Sequence, residues 1–221
     1  MTGPAAHDLA IIIPAKDPAS GKSRLGPLLS LEARQSLAFA LFRETLRFFR
    51  ANLPDIPLVV ATDSSRLADE ANRVGATVLR DRKIGLTAAV EQAVAWCIDR
   101  GFASALVIHS DIGALRRDEI ARLIEHPRRR PSVILCPSAD EGGTNALLAT
   151  PPDAVPIWYG VGSFERYQRE AQTRGVPVDV LRLADLALDL DTPEDVRRFL
   201  DRGPAGPVLD ELRRWATASS S

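Results

Sequence analysis

The chain holds few of the residues that usually announce a redox, zinc-dependent or secreted protein. Of its 221 residues only two are cysteine, Cys97 and Cys136. Two cysteines cannot build a disulfide framework or an ordinary four-ligand zinc site. Cys97 sits beside Trp96 in an amphipathic run and Cys136 ends an apolar run, so both read as small core residues. The three histidines, His7, His109 and His126, are scattered without metal-ligand spacing. No apolar run approaches the ~20 residues of a membrane-spanning helix, and no basic segment followed by an apolar one marks a signal peptide. A cytoplasmic protein with no membrane partner is therefore expected. Excess positive charge is lacking too. The net charge of -1 and a pI of about 6.3 exclude a grip on nucleic acid through bulk charge. The short runs Arg116-Arg117 and Arg128-Arg129-Arg130 read as solvated helix ends or loops.

What is present is an ordinary globular composition, 45% hydrophobic and 26% charged, in a chain long enough for one substantial domain. Leu9 to Pro14 is short, apolar and β-branched, the pattern of a strand buried on both faces. Further strands are expected at Pro57 to Thr62, Thr77 to Leu79, Ala103 to His109 and Ser132 to Cys136. Between them lie helical patterns at Leu31 to Arg50, Ser65 to Val74, Gly85 to Ile98 and Arg117 to Glu125. This alternation implies an α/β fold with a mostly parallel sheet flanked by helices. Later strands are expected at Asn145 to Thr150, Pro177 to Leu183 and Leu186 to Asp191. A helix opens after Gly162, and another starts at Thr192-Pro193-Glu194-Asp195 with Thr192 as its cap. The expected organisation is a flexible N-terminus (1–7), one domain (8–202), and a linker, short helix and tail (203–221), with 216–221 loose.

Ligands of such folds bind at the carboxyl ends of the strands, which directs attention to three constellations. The loop Pro14-Ala15-Lys16-Asp17-Pro18-Ala19-Ser20-Gly21-Lys22-Ser23-Arg24-Leu25 combines three cations with glycine and proline breaks, which suits a polyphosphate. It is not a Walker A loop, because Lys16 stands where that motif needs its first glycine. Asp111 follows a buried strand. Asp189 and Asp191 alternate with apolar residues, so a strand would point both to one side, a costly arrangement that a hard divalent cation relieves. The competing view is that Asp191 only assists the helix start at Thr192. Two glycine turns, Gly142-Gly143-Thr144-Asn145 and Gly160-Val161-Gly162-Ser163, could offer N–H groups to an anion, although such turns are common.

The order and spacing of these segments resemble one family, the 2-phospho-L-lactate and phosphoenolpyruvate guanylyltransferases of coenzyme F-420 biosynthesis. The resemblance spans about residues 9 to 200. It rests on Ile13-Pro14-Ala15-Lys16, Gly21-Lys22-Ser23-Arg24-Leu25, Gly85-Leu86-Thr87-Ala88-Ala89-Val90, Gly143-Thr144-Asn145-Ala146-Leu147-Leu148, Gly162-Ser163-Phe164 and Leu188-Asp189-Leu190-Asp191-Thr192-Pro193-Glu194-Asp195. It implies a Rossmann-like mixed sheet of the nucleotide-diphospho-sugar transferase type. It also implies transfer of GMP from GTP to 2-phospho-L-lactate, phosphoenolpyruvate or 3-phosphoglycerate, with release of pyrophosphate. By similarity, Lys16 and Arg24 hold the triphosphate, with Pro14, Ala15 and Lys22 in the same loop. Asp111, Asp189 and Asp191 hold magnesium, and Lys16, Arg24 and Asp111 are the catalytic set. Thr144, Gly162 and Ser163 hold the acceptor, and Gly85 and Thr87 lie near the base. A homodimer is an open option. The chain departs from the family pattern at His109-Ser110-Asp111-Ile112-Gly113, where Pro-Ala-Asp-Leu-Pro is usual, and at Thr87, where asparagine is common. Rival readings are a nucleotidyltransferase of the sugar-phosphate or molybdenum-cofactor type, and a non-catalytic nucleotide-binding regulator.

Overall fold

The computed structural model describes residues 8–80, 85–127 and 129–218. The expected loose ends at 1–7 and 219–221 lie outside the described residues, as does Arg128 of the basic run. The first strand, β1 (Leu9–Pro14), is buried along its whole length. Its alternate side chains enter different cores, Ile11 and Ile13 one, Ala10 and Ile12 the other, as a strand covered on both faces requires. The chain continues through α1 (Leu31–Asn52), β2 (Leu58–Thr62), α2 (Ser65–Arg73), β3 (Thr77–Arg80), α3 (Leu86–Asp99), β4 (Ser104–Ile108) and α4 (Arg117–Ile124). Then follow β5 (Ser132–Pro137), β6 (Thr144–Thr150), α5 (Ser163–Thr173), β7 (Val178–Val180), α6 (Pro193–Arg202) and α7 (Pro207–Ala218). Ser30 caps α1 by accepting the Ala33 N–H at 3.2 Å. Leu37, Leu41, Phe42, Thr45, Leu46 and Phe49 then recur at helical spacing on its buried face.

Among the described residues, seven strands form one sheet in the order β3-β2-β1-β4-β6-β5-β7. Every pairing is parallel except those of β6, which runs antiparallel to β4 and β5. That reversal matters for function. Ile108, near the end of β4, pairs with Ala146, near the start of β6, so Thr144 and Asn145 reach the edge where β1 and β4 deliver Lys16 and Asp111. Helices α1, α2 and α4 cover one face and α3 and α5 the other. Cys97 and Cys136 are buried, one in each core. A third cluster joins Leu37 and Leu41 of α1 to Leu190, Phe199 of α6, and Leu209 and Leu212 of α7. The last helix thus packs on α1. No helix among the described residues is long and apolar enough to cross a membrane.

One expected strand is absent. Leu186 to Asp191 makes only a single antiparallel bridge, Ile112 to Asp189. The adjoining bonds are Gly113 N–H to Leu188 O and Leu190 N–H to Asp111 O, each 2.9 Å. The segment is a strap laid across the end of the sheet, too short of partners for a ladder.

Candidate active site

A cleft of about 530 Å³ opens at the carboxyl edge of β1 and β4. Its floor begins where β1 ends. Ala15 is fixed by donating to Ala61 O at 3.0 Å, and the loop then folds into two short helical turns, Pro18–Ser20 and Ser23–Leu25. Asp17 caps the first by accepting the Ala19 N–H at 2.8 Å. Lys22, between them, takes the left-handed conformation with φ 57°, uncommon for a residue with a side chain. The turn aims its side chain inward, only 6% exposed. Its Nζ lies 3.0 Å from Asp111 Oδ2 and 3.9 Å from Asp191 Oδ1. Arg24, largely exposed, reaches Asp191 Oδ2 at 3.4 Å. Lys16 lines the cleft with an exposed side chain.

The three aspartates predicted from sequence therefore share one cleft. Burial acts to raise the Asp111 pKa, but the Lys22 ammonium and His109 outweigh it and hold the carboxyl down at about 2. Asp189 is pushed the other way, upward, by burial and then by the charge of Asp111. Its Oδ1 accepts from Asn145 Nδ2 at 3.2 Å. Asp111 Oδ1 is buried without a hydrogen-bond partner. Three carboxylates thus face one buried ammonium, and one buried oxygen is unpaired. Among the described residues no cluster of three or more acidic, histidine or cysteine side chains stands in a metal-coordinating arrangement.

Opposite the basic loop, the two glycine turns meet, with Gly162 donating to Gly142 O at 2.8 Å. Four of their N–H groups, those of Gly142, Gly143, Gly162 and Ser163, are taken within the protein. Gly142 donates to Asp140 Oδ1 and Gly143 to Ser138 Oγ, while Ser163 donates its N–H to Gly160 O. The hydroxyls remain. Ser163 Oγ donates to Thr144 Oγ1 at 3.2 Å. Thr144 and Ser163 both line the cleft, whereas Gly162 shapes the turn behind it with φ 76°. Gly85 and Thr87 do not line the cleft either. Leu86, at the start of α3, is the contribution of that segment.

Several lining residues carried no assignment from sequence: His109, Ser110, Ser138, Asp140, Asn145 and Tyr159. His109 and Ser110 follow β4 directly, so the strand-end rule that selected Asp111 applied to them equally. His109 packs edge-on against Tyr159 with ring centroids 4.9 Å apart. Burial lowers its pKa, and its Nε2 has no partner. Tyr159 arrives on a long connection after β6, and nothing local in the sequence marks it. The departure at Gly113 has a packing cause: a Cβ there would lie 2.7 Å from the Phe199 ring and 3.2 Å from Leu190. Its N–H also bonds Leu188 O, which a proline cannot do.

Residues 9–213 match the family model described as Guanylyl transferase CofC like. The chain belongs to that guanylyltransferase family. Over 204 residues it is 45% identical to the 3-phospho-D-glycerate guanylyltransferase of Colwellia psychrerythraea, covering 92% of this chain and 96% of that one. The phosphoenolpyruvate guanylyltransferase of Rubrobacter xylanophilus is 34% identical over 85% of this chain and 91% of its own length. The 2-phospho-L-lactate guanylyltransferase of Methanothermobacter thermautotrophicus is 30% identical over 92% and 89%. Solved structures share the fold at low identity. A protein of Desulfovibrio desulfuricans G20 assigned to the nucleotide-diphospho-sugar transferases superposes with TM-score 0.70 at 16% identity, covering 94% of each chain. A cytidylyltransferase of Leptospira borgpetersenii gives 0.54 at 13%, covering 96% and 95%. The Rossmann-like, nucleotide-diphospho-sugar transferase-type sheet inferred from the family likeness is the sheet observed.

Proposed function

We propose that this guanylyltransferase moves GMP from GTP onto the phosphate of 3-phospho-D-glycerate, releasing pyrophosphate, as a step of coenzyme F-420 biosynthesis. The observation that carries the choice of acceptor is the 45% identity, over nearly the full length of both chains, to a relative named for that acid. The relatives named for phosphoenolpyruvate and 2-phospho-L-lactate are more distant at 34% and 30%. The cleft supplies the complementary chemistry, with cations on one wall and hydroxyls on the other.

In the reaction, an oxygen of the acceptor's phosphate attacks the α-phosphorus of GTP. The new P–O–P bond joins GMP to the acid, while the bond between the α-phosphorus and the α,β-bridging oxygen breaks. Pyrophosphate leaves with that electron pair. The nucleophile is already an anion near neutral pH, so no side chain must remove a proton. The protein's task is positioning and charge neutralisation. Lys16 and Arg24 hold the triphosphate. Lys22 moves its ion pair from Asp111 toward the departing phosphates. Thr144 and Ser163 bind the acceptor through their hydroxyls, with Leu86 near the base.

Magnesium fits the donors present. Asp111 has an unpaired buried oxygen, Asp189 is disfavoured as an anion beside it, and Asp191 lines the same cleft. Magnesium is typically held by one or two carboxylates together with substrate phosphates rather than by an all-protein cage, so the missing oxygens would come from GTP. Once bound, it supplies charge compensation for the triphosphate.

The test is pyrophosphate release from GTP with 3-phospho-D-glycerate, phosphoenolpyruvate or 2-phospho-L-lactate, with ATP, CTP and UTP as comparators. Release with GTP and 3-phospho-D-glycerate at the highest kcat/KM is expected. Faster turnover of another acid rejects the acceptor, and no release with any pair rejects the activity.

A further inference from the structure

The strap that carries Asp189 has one bridge and no ladder, and its backbone is bonded to Gly113, Asp111 and Ala139. Two side chains add to these bonds. Asn145, inside the cleft, donates from Nδ2 to Leu186 O at 3.0 Å and Ala187 O at 3.1 Å as well as to Asp189 Oδ1. From behind, Glu119 of α4 accepts two backbone N–H groups on separate oxygens, Asp185 at 3.2 Å and Leu186 at 2.9 Å. Glu119 is only 8% exposed and does not line the cleft. It packs among core residues, Ile120, Leu123, Leu183 and Leu186 being buried in the same cluster. A carboxylate is costly to bury, and here both its oxygens grip the segment entering the strap. Leu186, once fixed, leaves three residues of chain to set where Asp189 stands.

We infer that Glu119 is a positioning residue for the metal-binding carboxylate Asp189, acting through the Leu186–Asp189 backbone without touching any ligand. The inference rests on the magnesium assignment proposed above. Residues that orient metal ligands from behind typically change metal affinity by about 10- to 100-fold when altered. Glu119→Gln keeps the volume but turns one acceptor into an N–H donor facing a backbone N–H. Glu119→Asp keeps both acceptors and the charge but shortens the reach by one methylene.

The experiment measures Mn2+ binding to the full chain with GTP present, by electron paramagnetic resonance, and GTP binding without metal by calorimetry. Both are run well below the melting temperature of each variant. The wild type should bind Mn2+ in its GTP complex. Both variants should bind it at least about tenfold more weakly, with metal-free GTP affinity unchanged. If the Gln variant does not fold, the Asp variant carries the comparison. Wild-type Mn2+ affinity in a folded variant of lowered melting temperature would mean a purely structural Glu119 and overturn the inference alone. Absence of Mn2+ binding in the wild type would overturn it together with the magnesium assignment.

Discussion

Lys22→Met separates the electrostatic argument from the catalytic one. The substitution keeps an unbranched side chain of similar length but removes the ammonium 3.0 Å from Asp111. Burial alone drives the Asp111 carboxyl upward, and Lys22 is the foremost group that brings it down to about 2 from an ordinary 3.8. At about 1.4 kcal/mol per tenfold change in proton affinity, that depression corresponds to about 2 kcal/mol of native-state stability. The sign follows from the direction. A carboxylate whose folded pKa is depressed stabilises the fold above its unfolded pKa, and the gain is lost as pH falls through the folded value. Without the ammonium, burial raises the Asp111 carboxyl rather than returning it to its ordinary value, so the variant should be less stable at pH 7 by at least about 2 kcal/mol. For a chain of this size that lowers the melting temperature by about 4–8 °C. The deficit should shrink as pH falls from 4 toward 2, because protonated Asp111 no longer needs a partner. Urea unfolding of both proteins at pH 7, 3.5 and 2.5 reads this directly. A deficit that is absent at pH 7, or the same at every pH, would refute the view that Lys22 acts through the charge of Asp111. Separately, kcat should fall by roughly a hundredfold, the usual cost of losing one group that stabilises developing charge.

Two further outcomes follow from the packing. Gly113→Ala would force a methyl to within 2.7 Å of the Phe199 ring. It should cost about 1–3 kcal/mol by overpacking and disturb the bridge between Ile112 and Asp189, so denaturation midpoint and turnover should fall together. Unchanged turnover would show that the strap tolerates movement at Gly113. Cys97 and Cys136 are buried, and burial raises both thiols to about 12. Thiol reagents at pH 8 should label neither in the native protein and both after denaturation, and rapid native labelling would show that one of the two cores opens.

The elements with strong local signals were legible in the sequence. Leu9 to Pro14 is too uniformly apolar for an exposed strand, and its burial on both faces follows. Ser30 and Thr192 announce helix starts because a side-chain oxygen before a helical run satisfies N–H groups that the helix leaves unpaired. Thr192 forms that cap together with Asp195. Lys16, Lys22, Arg24 and Asp111 were identifiable because strand ends collect ligands in α/β folds, Asp189 and Asp191 because two like charges alternate with apolar residues, and all six converge on one cleft. The antiparallel course of β6 was not legible, since an apolar run has no marker of direction. The strap at Leu186 to Asp191 has the alternation of a strand, but pairing is a property of neighbours, and there only the single bridge to Ile112 forms. For the same reason the sequence does not show that Asp140, Ser138 and Gly160 take the N–H groups of Gly142, Gly143 and Ser163. The sequence by itself determined which charged and hydroxyl groups the protein possesses and that they follow strands. Only the tertiary structure decided which of them meet. The ion pair of Lys22 with Asp111 spans 89 residues and the bond of Glu119 with Leu186 spans 67, and contacts at such separations are set by sheet order and helix packing rather than by local pattern.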